Sequence, residues 1–263
     1  MKYGIEEIQK YWMGQAGEHG QSPAASWSDV SAIELEIKAI GDRLEDGDSV
    51  LDVGCANGYS SVRYAMLKDV SILGIDYIPE MVEQAKERTG AISGSLRGQL
   101  DFFVGDVTSL NLTNGTFDKV ISTRVIINLG AWERQLIGLR ECARVLKPGG
   151  VFLLCEATFQ GWRNLNRFRQ EWRLPEIPVP PFNLYLDEEQ VIEALRPGLE
   201  LVELVNFSST YFIGTRLLKP LLIQALGLPI EVANPNMEWN RWCAQLPAWG
   251  DYGTQKLFVF RKL

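Results

Sequence analysis

In the first part of the chain, short apolar runs alternate with segments whose apolar residues have helical spacing. The apolar runs lie at residues 49–53, 70–75, 100–104, 117–122 and 151–155. Because they are almost wholly apolar, they predict strands that are covered on both faces. Segments with the apolar spacing of helices stand between most of these runs. The pattern therefore predicts a parallel sheet with helices on both sides.

The N-terminal segment departs from this alternation. Residues 1–30 are rich in aromatic residues and glycine, and Ile5, Ile8 and Trp12 are spaced to share one face of a short helix. A second helix is predicted at residues 31–44, where apolar residues recur at helical intervals. We therefore expect two helices before the first strand.

The chain after residue 155 shows a weaker pattern. Residues 156–186 have no strong period, and two further strands are predicted at 199–207 and 256–261. The segment between these two strands is long for a loop, which indicates a functional cap. The expected fold is an α/β doubly wound sheet of seven mostly parallel strands, with an elaborated C-terminal cap insertion.

Charge narrows the class of partner. The chain has 263 residues, a net charge of −7 and a pI near 5.0, and it contains no block of Lys and Arg. A general nucleic-acid surface needs a basic stripe, so we expect no nucleic-acid partner. A neutral or cationic small molecule is easier to reconcile with this balance. These features do not determine the oligomeric state.

Targeting signals and cysteine usage point to the cytoplasm. The N-terminus has no apolar signal core, and no run approaches the ~18 residues that cross a bilayer, so no membrane partner is expected. The four cysteines, Cys55, Cys142, Cys155 and Cys243, form no C-x-x-C pair. We expect them to be buried, reduced thiols, and we predict no metal site.

Acidic and polar residues stand where the predicted parallel strands end. Asp52, Asp76 and Asp106 lie at the ends of the first three strands, and Thr123 and Arg124 follow the fourth. The carboxyl ends of the strands are where an open α/β sheet binds its ligands. A glycine-containing loop at residues 54–58 follows the first strand, and glycine lets a backbone approach a ligand closely. The sequence therefore predicts a nucleotide-type site at this edge.

The acidic residues favour one class of nucleotide. Asp76 stands about twenty positions after the glycine loop, where a carboxylate can accept from both hydroxyls of a ribose. Asp106 would suit the exocyclic amine of an adenine. The loop lacks G-x-G-x-x-G, and the chain contains no Walker A pattern. A neutral or cationic adenosine derivative is therefore favoured over NAD or ATP.

Five motifs resemble those of the class I S-adenosylmethionine-dependent methyltransferases. VLDVGCANG at residues 50–58 resembles the first motif, and GIDYIPEM at 74–81 the second. GDV at 105–107 is similar to the third, FDKVIS at 117–122 to the fourth and RVLKPGG at 144–150 to the fifth. The resemblance covers residues 49–155 in the expected order and implies a Rossmann-like fold. Ala56 departs from it, since the family usually has glycine there, which puts the loop geometry in doubt.

The resemblance implies S-adenosyl-L-methionine as cofactor. It implies Asp76 on the ribose hydroxyls, Asp106 with Val107 at the adenine, and Tyr77 and Met81 beside the ring. The predicted cofactor-binding residues are Trp12, Asp52, Gly54, Ala56, Gly58, Asp76, Tyr77, Met81, Asp106, Val107, Thr123 and Arg124. For Asp52 and Asp106 a role as loop caps stays open, and for Met81 plain core packing.

The same resemblance implies one domain over residues 1–263. Residues 1–45 would form a lid on the cofactor and 46–155 the cofactor-binding core. Residues 156–198 and 208–255 would form the acceptor pocket.

Methyl transfer from a sulfonium is an in-line displacement, so the protein has to position the acceptor. A base is needed only when the acceptor must lose a proton. His19, the single histidine, lies in the predicted lid, and Glu156 ends the fifth strand beside the expected acceptor cavity. These two residues are the predicted catalytic pair; a surface role for His19 is the alternative.

Polar side chains beside aromatic residues predict the acceptor pocket, because such surfaces suit sugars and polar heterocycles. The predicted substrate-binding residues are Asn166, Arg169, Asn183, Tyr185, Ser209, Tyr211 and Arg216. Packing of the cap is the alternative role for this region.

The leading hypothesis is methyl transfer to a small polar acceptor, such as a sugar, a glycan precursor or a secondary metabolite. A macromolecule methyltransferase is an alternative that the acidic balance disfavours. A cofactor-binding but catalytically inactive regulatory partner is the alternative from another functional class. The motifs specify neither the acceptor nor whether O, N or C is methylated.

Overall fold

One seven-stranded sheet organises the molecule. The computed structural model describes residues 4–263, so residues 1–3 of the predicted lid lie outside the described residues. The strands are β1 (Ser49–Val53), β2 (Ser71–Asp76), β3 (Gln99–Val104), β4 (Phe117–Thr123), β5 (Leu146–Ala157), β6 (Leu199–Val205) and β7 (Gln255–Lys262).

The strand order is β3-β2-β1-β4-β5-β7-β6. The first five strands are parallel, and β7 runs antiparallel to both of its neighbours. The order reverses between β1 and β4, and at such a switch point the loops after the two strands separate and leave a crevice. The predicted α/β class and the seven mostly parallel strands are confirmed.

Ten α-helices surround the sheet in the described part of the chain. They are α1 (Ile5–His19), α2 (Val30–Gly41), α3 (Tyr59–Leu67), α4 (Pro79–Ile92), α5 (Trp132–Val145), α6 (Phe159–Glu171), α7 (Glu188–Leu195), α8 (Ser209–Phe212), α9 (Lys219–Leu226) and α10 (Glu238–Ala244). A π-helical turn, Ile213–Leu218, joins α8 to α9. Among these residues, no helix combines the length and apolar content needed to cross a membrane.

Alternate residues of each strand enter different hydrophobic cores. Val50 packs with Ile37 and Tyr64, from α2 and α3, on one face of the sheet. Its neighbour Leu51 packs with Leu139 and Val191, from α5 and α7, on the other face. Successive side chains of a strand point to opposite faces, so an almost wholly apolar strand supplies both cores.

The structure differs from the predicted elements in three places. The N-terminal helix is longer than expected and continues to His19. The fifth strand begins at Leu146, because the Lys-Pro-Gly-Gly segment joins the strand instead of preceding it. Residues 156–186, for which no regular element was predicted, contain helix α6. The polar residues that conceal the helical period of α6 belong to buried contacts described below.

The segment between β6 and β7 forms the cap, defined here as residues 208–254. Its helices α8 and α10 pack together through Tyr211, Phe212 and Cys243, and Ala32 of α2 joins this cluster. The cap therefore has a small apolar core of its own, fixed to the N-terminal helices.

Candidate active site

A cleft lies over the carboxyl ends of β1, β2, β3 and β4. Its empty volume is about 1170 Å³, part of it open to solvent. All the predicted cofactor-binding residues except Gly58 line it, so the structure brings Asp52, Asp76 and Asp106 together as the parallel sheet required. The cleft is large enough for a nucleoside-sized ligand.

The glycine loop brings main chain close to this cleft. Gly54 has a φ of 68°, and a Cβ built there would lie 2.2 Å from Cγ2 of Val125. Gly58 has a φ of 72°, and its Cβ would lie 2.9 Å from that of Ala85. Gly58 packs behind the cleft, between α3 and α4, and a side chain would separate the loop from these neighbours at either position.

Ala56 adopts the left-handed conformation that the family's usual glycine would provide. Its φ is 47°. This conformation costs an L-residue about 1 kcal/mol, and the packing of the surrounding loop can maintain it. The backbone path is therefore kept despite the substitution, and the strain is local to this residue.

Asp76 is the most firmly placed acid in the cleft. Its Oδ2 accepts from the Ala56 N–H at 3.0 Å, and its Oδ1 accepts from the Ile78 N–H at 2.9 Å. Burial raises the pKa of Asp76 to about 6, while these main-chain donors act in the opposite direction. Each carboxylate oxygen has a second lone pair, so both can still accept from a ligand.

Asp52 and Asp106 have different surroundings. Asp52 is buried and accepts from the Ser61 hydroxyl at 2.5 Å. Burial raises the pKa of Asp52 to about 7. Asp106 is exposed, and its Oδ1 caps the following turn by accepting from the N–H and the hydroxyl of Thr108. Its Oδ2 has no hydrogen bond within the described residues.

Apolar and aromatic side chains line the cleft beside Asp76 and Asp106. Met81 and Val107 are buried, and Tyr77 is partly buried against Met81. Burial raises the pKa of the Tyr77 phenol well above its usual value, with Asp76 and Asp106 adding to the shift. Tyr77 therefore stays neutral and offers an aromatic face to the cleft.

Helix α1 covers the cleft with Ile5, Ile8, Gln9 and Trp12. Asn57 of the glycine loop fixes the end of this cover, donating at 2.8 Å to the main-chain oxygens of Gly20 and Ser22. Sequence reasoning did not single out Asn57. Its position inside the first motif was the available signal, but its partners lie more than thirty residues away in the chain.

Arg124 joins the cleft to α2 and to the segment before it. Its φ is 58°, and its Nε donates to both carboxylate oxygens of Glu36 at 3.1 Å. Its Nη1 donates to the main-chain oxygen of Ser26 at 2.9 Å, and its guanidinium carbon lies 5.3 Å from the Trp27 ring centroid. Gln255 also donates to Glu36. Arg124 therefore lines the cleft and connects the end of β4 to α2 and to the segment that contains Ser26 and Trp27.

The two predicted catalytic residues do not line the cleft. His19 ends helix α1 and is partly buried, beyond the turn that Asn57 fixes. Glu156 is completely buried, and its Oε1 accepts from the N–H groups of Val125 and Ile126 at 2.8 Å. Burial raises the pKa of Glu156 to about 8. The structure places Glu156 beneath the turn after β4, where it supports Val125 from behind.

The seven predicted substrate-binding residues also lie outside the cleft lining. Asn166 makes paired hydrogen bonds with the main chain of Ile177, and Arg169 donates to the oxygens of Pro175 and Arg216. Ser209 bonds to main chain in the 249–252 segment.

Tyr211 and Arg216 both bond to Asp29. Tyr185 packs against Phe159. These residues hold the cap and its neighbours together.

Asn183 comes nearest to the cleft. Its side-chain N–H donates at 2.7 Å to Oδ1 of Asn128, which does line the cleft. Asn128, Leu129 and Arg134 are cleft residues that sequence reasoning missed. Asn128 sits in the turn directly after the fourth motif, and that position was the signal that could have identified it.

No group of three or more His, Cys, Asp or Glu side chains in residues 4–263 is arranged to hold a metal ion. The four cysteines are buried and unpaired with one another. The cleft therefore offers carboxylates, main-chain groups and aromatic faces to a ligand.

Comparisons with known proteins identify the type of domain. A family model described as a methyltransferase domain matches residues 50–150. The chain is 32% identical over 135 residues to 27-O-demethylrifamycin SV methyltransferase of Amycolatopsis mediterranei, which covers 49% of this chain and 48% of that protein. It is 35% identical over 112 residues to tRNA (carboxymethyluridine(34)-5-O)-methyltransferase alkbh8 of Xenopus tropicalis, which covers 42% of this chain and 16% of that protein. The chain thus matches half or less of the length of these two relatives.

A solved structure shares the fold over the full length. The putative methyltransferase in complex with the Haloferax volcanii Trm112 methyltransferase activator aligns with a TM-score of 0.62. The alignment covers 95% of this chain and 96% of that one at 21% identity, which shows the fold alone. The family model identifies residues 50–150 as a methyltransferase domain, and the motif residues that line the cleft resemble those of the class I S-adenosylmethionine-dependent methyltransferases.

Proposed function

We propose that this protein transfers the methyl group of S-adenosyl-L-methionine to a small polar acceptor by in-line displacement. The carrying observation is the buried carboxylate of Asp76. Main-chain donors from the glycine loop and from Ile78 fix it, and a free lone pair remains on each oxygen. A carboxylate held in this way suits a ribose diol, which donates two parallel hydrogen bonds.

The rest of the cleft fits the same cofactor. The free Oδ2 of Asp106 can accept from an exocyclic amine, and Tyr77, Met81 and Val107 can enclose a flat adenine ring. Gly54 and Ala56 line the cleft beside Asp76, where the ribose and methionine portions would lie. Trp12, Asp52, Thr123 and Arg124 complete the wall.

The bound cofactor would supply an activated methyl group on a sulfonium. The protein then has to hold the acceptor atom about 3–3.5 Å from that carbon and exclude water. Helix α1 covers the cleft with Ile8 and Trp12. The turn after β4, supported from below by Glu156, supplies Val125 and Asn128. Asn128 would contact the acceptor, and Asn183 would support Asn128 through their hydrogen bond.

Proton removal by His19 or Glu156 stays a prediction. Neither side chain lines the cleft, so either would need another group to relay the proton. We propose that Glu156 acts as a positioning residue for the Val125 turn, and that an acceptor with a low enough pKa needs no dedicated base.

Two alternatives have distinguishable consequences. The similarity to a tRNA methyltransferase raises a nucleic-acid acceptor, but the net charge of −7 and the acids of the cleft disfavour a polyanion. The rifamycin-modifying relative has a small-molecule acceptor by its name, which supports the proposal. A catalytically inactive regulatory partner would bind cofactor without turnover.

Calorimetric titration with S-adenosylhomocysteine tests cofactor binding. We expect Asp76→Asn to weaken binding by about tenfold or more, since hydrogen bonds to a charged group contribute about 1.5–3 kcal/mol. The matched control is Asp101→Asn, an exposed acid on β3 outside the cleft. An equal effect of the two substitutions would refute the assigned role of Asp76.

Turnover is measured separately, as release of S-adenosylhomocysteine with a panel of hydroxylated sugars, aromatic metabolites and tRNA. We expect product only from small acceptors. Product only from tRNA would replace the acceptor class, and binding without product from any acceptor would support the regulatory partner.

A further inference from the structure

A second pocket lies on the far side of a short strap from the cofactor cleft. The strap is residues 26–29: Ser26 lines the cleft, whereas Trp27, Ser28 and Asp29 line the second pocket. The cap provides the opposite wall, with Arg216 and Lys219 among its residues. The empty volume of this cap pocket is about 890 Å³. None of the motifs that define the cofactor cleft contributes to it.

The floor of the cap pocket carries more positive than negative charge. Arg216 pairs with Asp29 at 2.5 Å, and their side chains are 24% and 2% exposed. Lys219 is only 4% exposed, and its Nζ donates to two neutral oxygens, the main-chain oxygen of Asn234 and Oδ1 of Asn240. Arg169, buried behind Arg216, donates only to main-chain oxygens. Two cations, Arg216 and Lys219, therefore line the pocket with one carboxylate, and Arg169 adds a third positive charge behind them.

Among the described residues, Asp29 is the single carboxylate that lines the cap pocket, so it leaves part of the positive charge of Arg216 and Lys219 uncompensated. Its Oδ1 accepts from the Tyr211 hydroxyl and from the Ala32 N–H, and its Oδ2 from Arg216. The charge of Arg216 adds to burial in lowering the pKa of Lys219 and of Arg169. A buried cation without a counter-charge is costly, so an anion placed here would be stabilised.

Donor groups remain available to such an anion. An ammonium has three N–H donors, and Lys219 uses two of them. Within the described residues, the guanidinium of Arg216 makes a hydrogen bond only through Nη2, to Asp29. Arg216 lies in the π-helical turn and Lys219 begins α9, and both residues line the pocket.

Apolar side chains form much of the remaining wall, beside Ser28, Thr215 and Gln224. Pro220 and Ile223 of α9 line one side, and Ile230 and Pro235 line the other. Ile230 lines the pocket and is 75% exposed, so its side chain is accessible to a ligand. A charged floor below an apolar rim matches a ligand with an anionic head and an aliphatic body.

We propose that the cap pocket binds a small amphipathic carboxylate, with its head at Arg216 and Lys219 and its aliphatic body against Ile223 and Ile230. This site is separate from the cofactor cleft, and the strap that Arg124 contacts lies between them. Its existence does not depend on methyl transfer.

Calorimetric titration of the full chain with sodium octanoate tests the proposal, with 1-octanol as the neutral ligand of equal chain length. Octanoate is expected to bind at one site and about tenfold or more tightly than octanol, since a charged group makes the stronger hydrogen bonds. Prior saturation with S-adenosylhomocysteine should leave the octanoate affinity unchanged. No methyl donor is present, so failure here is distinct from failure of the proposed function.

Two matched variants protect the test against loss of folding. Ile230→Asp places a negative charge at the rim and should weaken octanoate binding about fivefold or more. Leu226→Asp makes the same change at a 66% exposed site on α9 outside the pocket, and should leave the affinity within about twofold. Arg216→Gln should abolish the preference for octanoate over octanol.

Three results would overturn the proposal: no octanoate binding by folded protein, equal affinity for octanol, or competition by S-adenosylhomocysteine. An equal loss of octanoate affinity in Ile230→Asp and in the control Leu226→Asp would also overturn it.

Discussion

The strand ends and the cap use polar side chains in different ways. At the carboxyl ends of β1 to β4, Asp76 and Asp106 bond to nearby main chain and still have free lone pairs facing the cleft. In the cap and in α6, polar side chains such as Asn166 and Ser209 form their hydrogen bonds with other parts of the protein. A polar residue therefore indicates a ligand site only when the fold leaves some of its hydrogen-bond donors or acceptors without a partner.

The largest effect should come from filling the glycine loop. Gly54→Val adds a side chain at a position with a φ of 68°, where even a Cβ meets Val125 at 2.2 Å. We expect S-adenosylhomocysteine binding to be lost, since the loop must move away from the cleft. Calorimetry on folded protein measures this loss.

Ala56→Gly is the control for that experiment. It changes the same loop but removes strain, so binding should be retained with little change in stability. If Gly54→Val binds as tightly as the wild type, the loop does not form the cofactor wall.

The next effect separates cap stability from cofactor binding. Arg169→Met removes donors to the oxygens of Pro175 and Arg216, leaving buried acceptors without partners. We expect the free energy of unfolding to fall by about 2–4 kcal/mol, with S-adenosylhomocysteine affinity unchanged within about twofold. Urea denaturation and calorimetry measure the two quantities.

Arg167→Met is the matched control, because Arg167 is exposed on the same helix. It should change stability by less than about 0.5 kcal/mol. A large loss of cofactor affinity in Arg169→Met would contradict the separation of the two regions.

A smaller effect concerns Glu156 and pH. Burial raises its pKa to about 8, so the folded protein retains a proton that the unfolded chain releases above its ordinary pKa of about 4.3. The stability associated with this group is full below the unfolded pKa and is lost as pH rises toward 8. Glu156→Gln cannot ionise, and its amide oxygen can still accept from Val125 and Ile126.

We therefore expect Glu156→Gln to have a flatter profile of unfolding free energy against pH. At about pH 8.5 it should be more stable than the wild type by about 1 kcal/mol or more, with near parity at about pH 5. Urea denaturation at several pH values measures this. Glu189→Gln, at an exposed site on α7, should keep the wild-type profile; a wild-type profile in Glu156→Gln would show that the buried carboxyl is not the source.

The predicted cofactor-binding residues, except Gly58, meet in one cleft for a geometric reason. Parallel strands end at one edge of the sheet, so residues far apart in sequence, such as Asp52 and Asp106, meet whenever each follows its strand. The residues that hold the edge together were harder to identify. Arg124 bonds to Glu36 of α2, and Asn57 bonds to the segment between α1 and α2. No local sequence pattern states which distant group a side chain will meet.

The acceptor pocket was predicted from polar and aromatic composition, and the structure places those residues outside the cleft lining. Arg169 and Asn166 satisfy main-chain groups of a neighbouring loop. The position of a main-chain carbonyl cannot be read from the sequence. An arginine that donates to such a carbonyl therefore cannot be distinguished, from the sequence, from an arginine that binds a substrate. The regular period of α6 was hidden for the same reason.

Hydrogen–deuterium exchange with and without S-adenosylhomocysteine tests the central claim most directly. The cofactor should be held by the strand ends and helix α1, while the cap contributes stability. We predict slower exchange at residues 52–58, 76–81, 105–108 and 123–129 and in α1, with residues 208–254 unchanged. Protection concentrated in the cap, with the strand-end loops unaffected, would contradict this account.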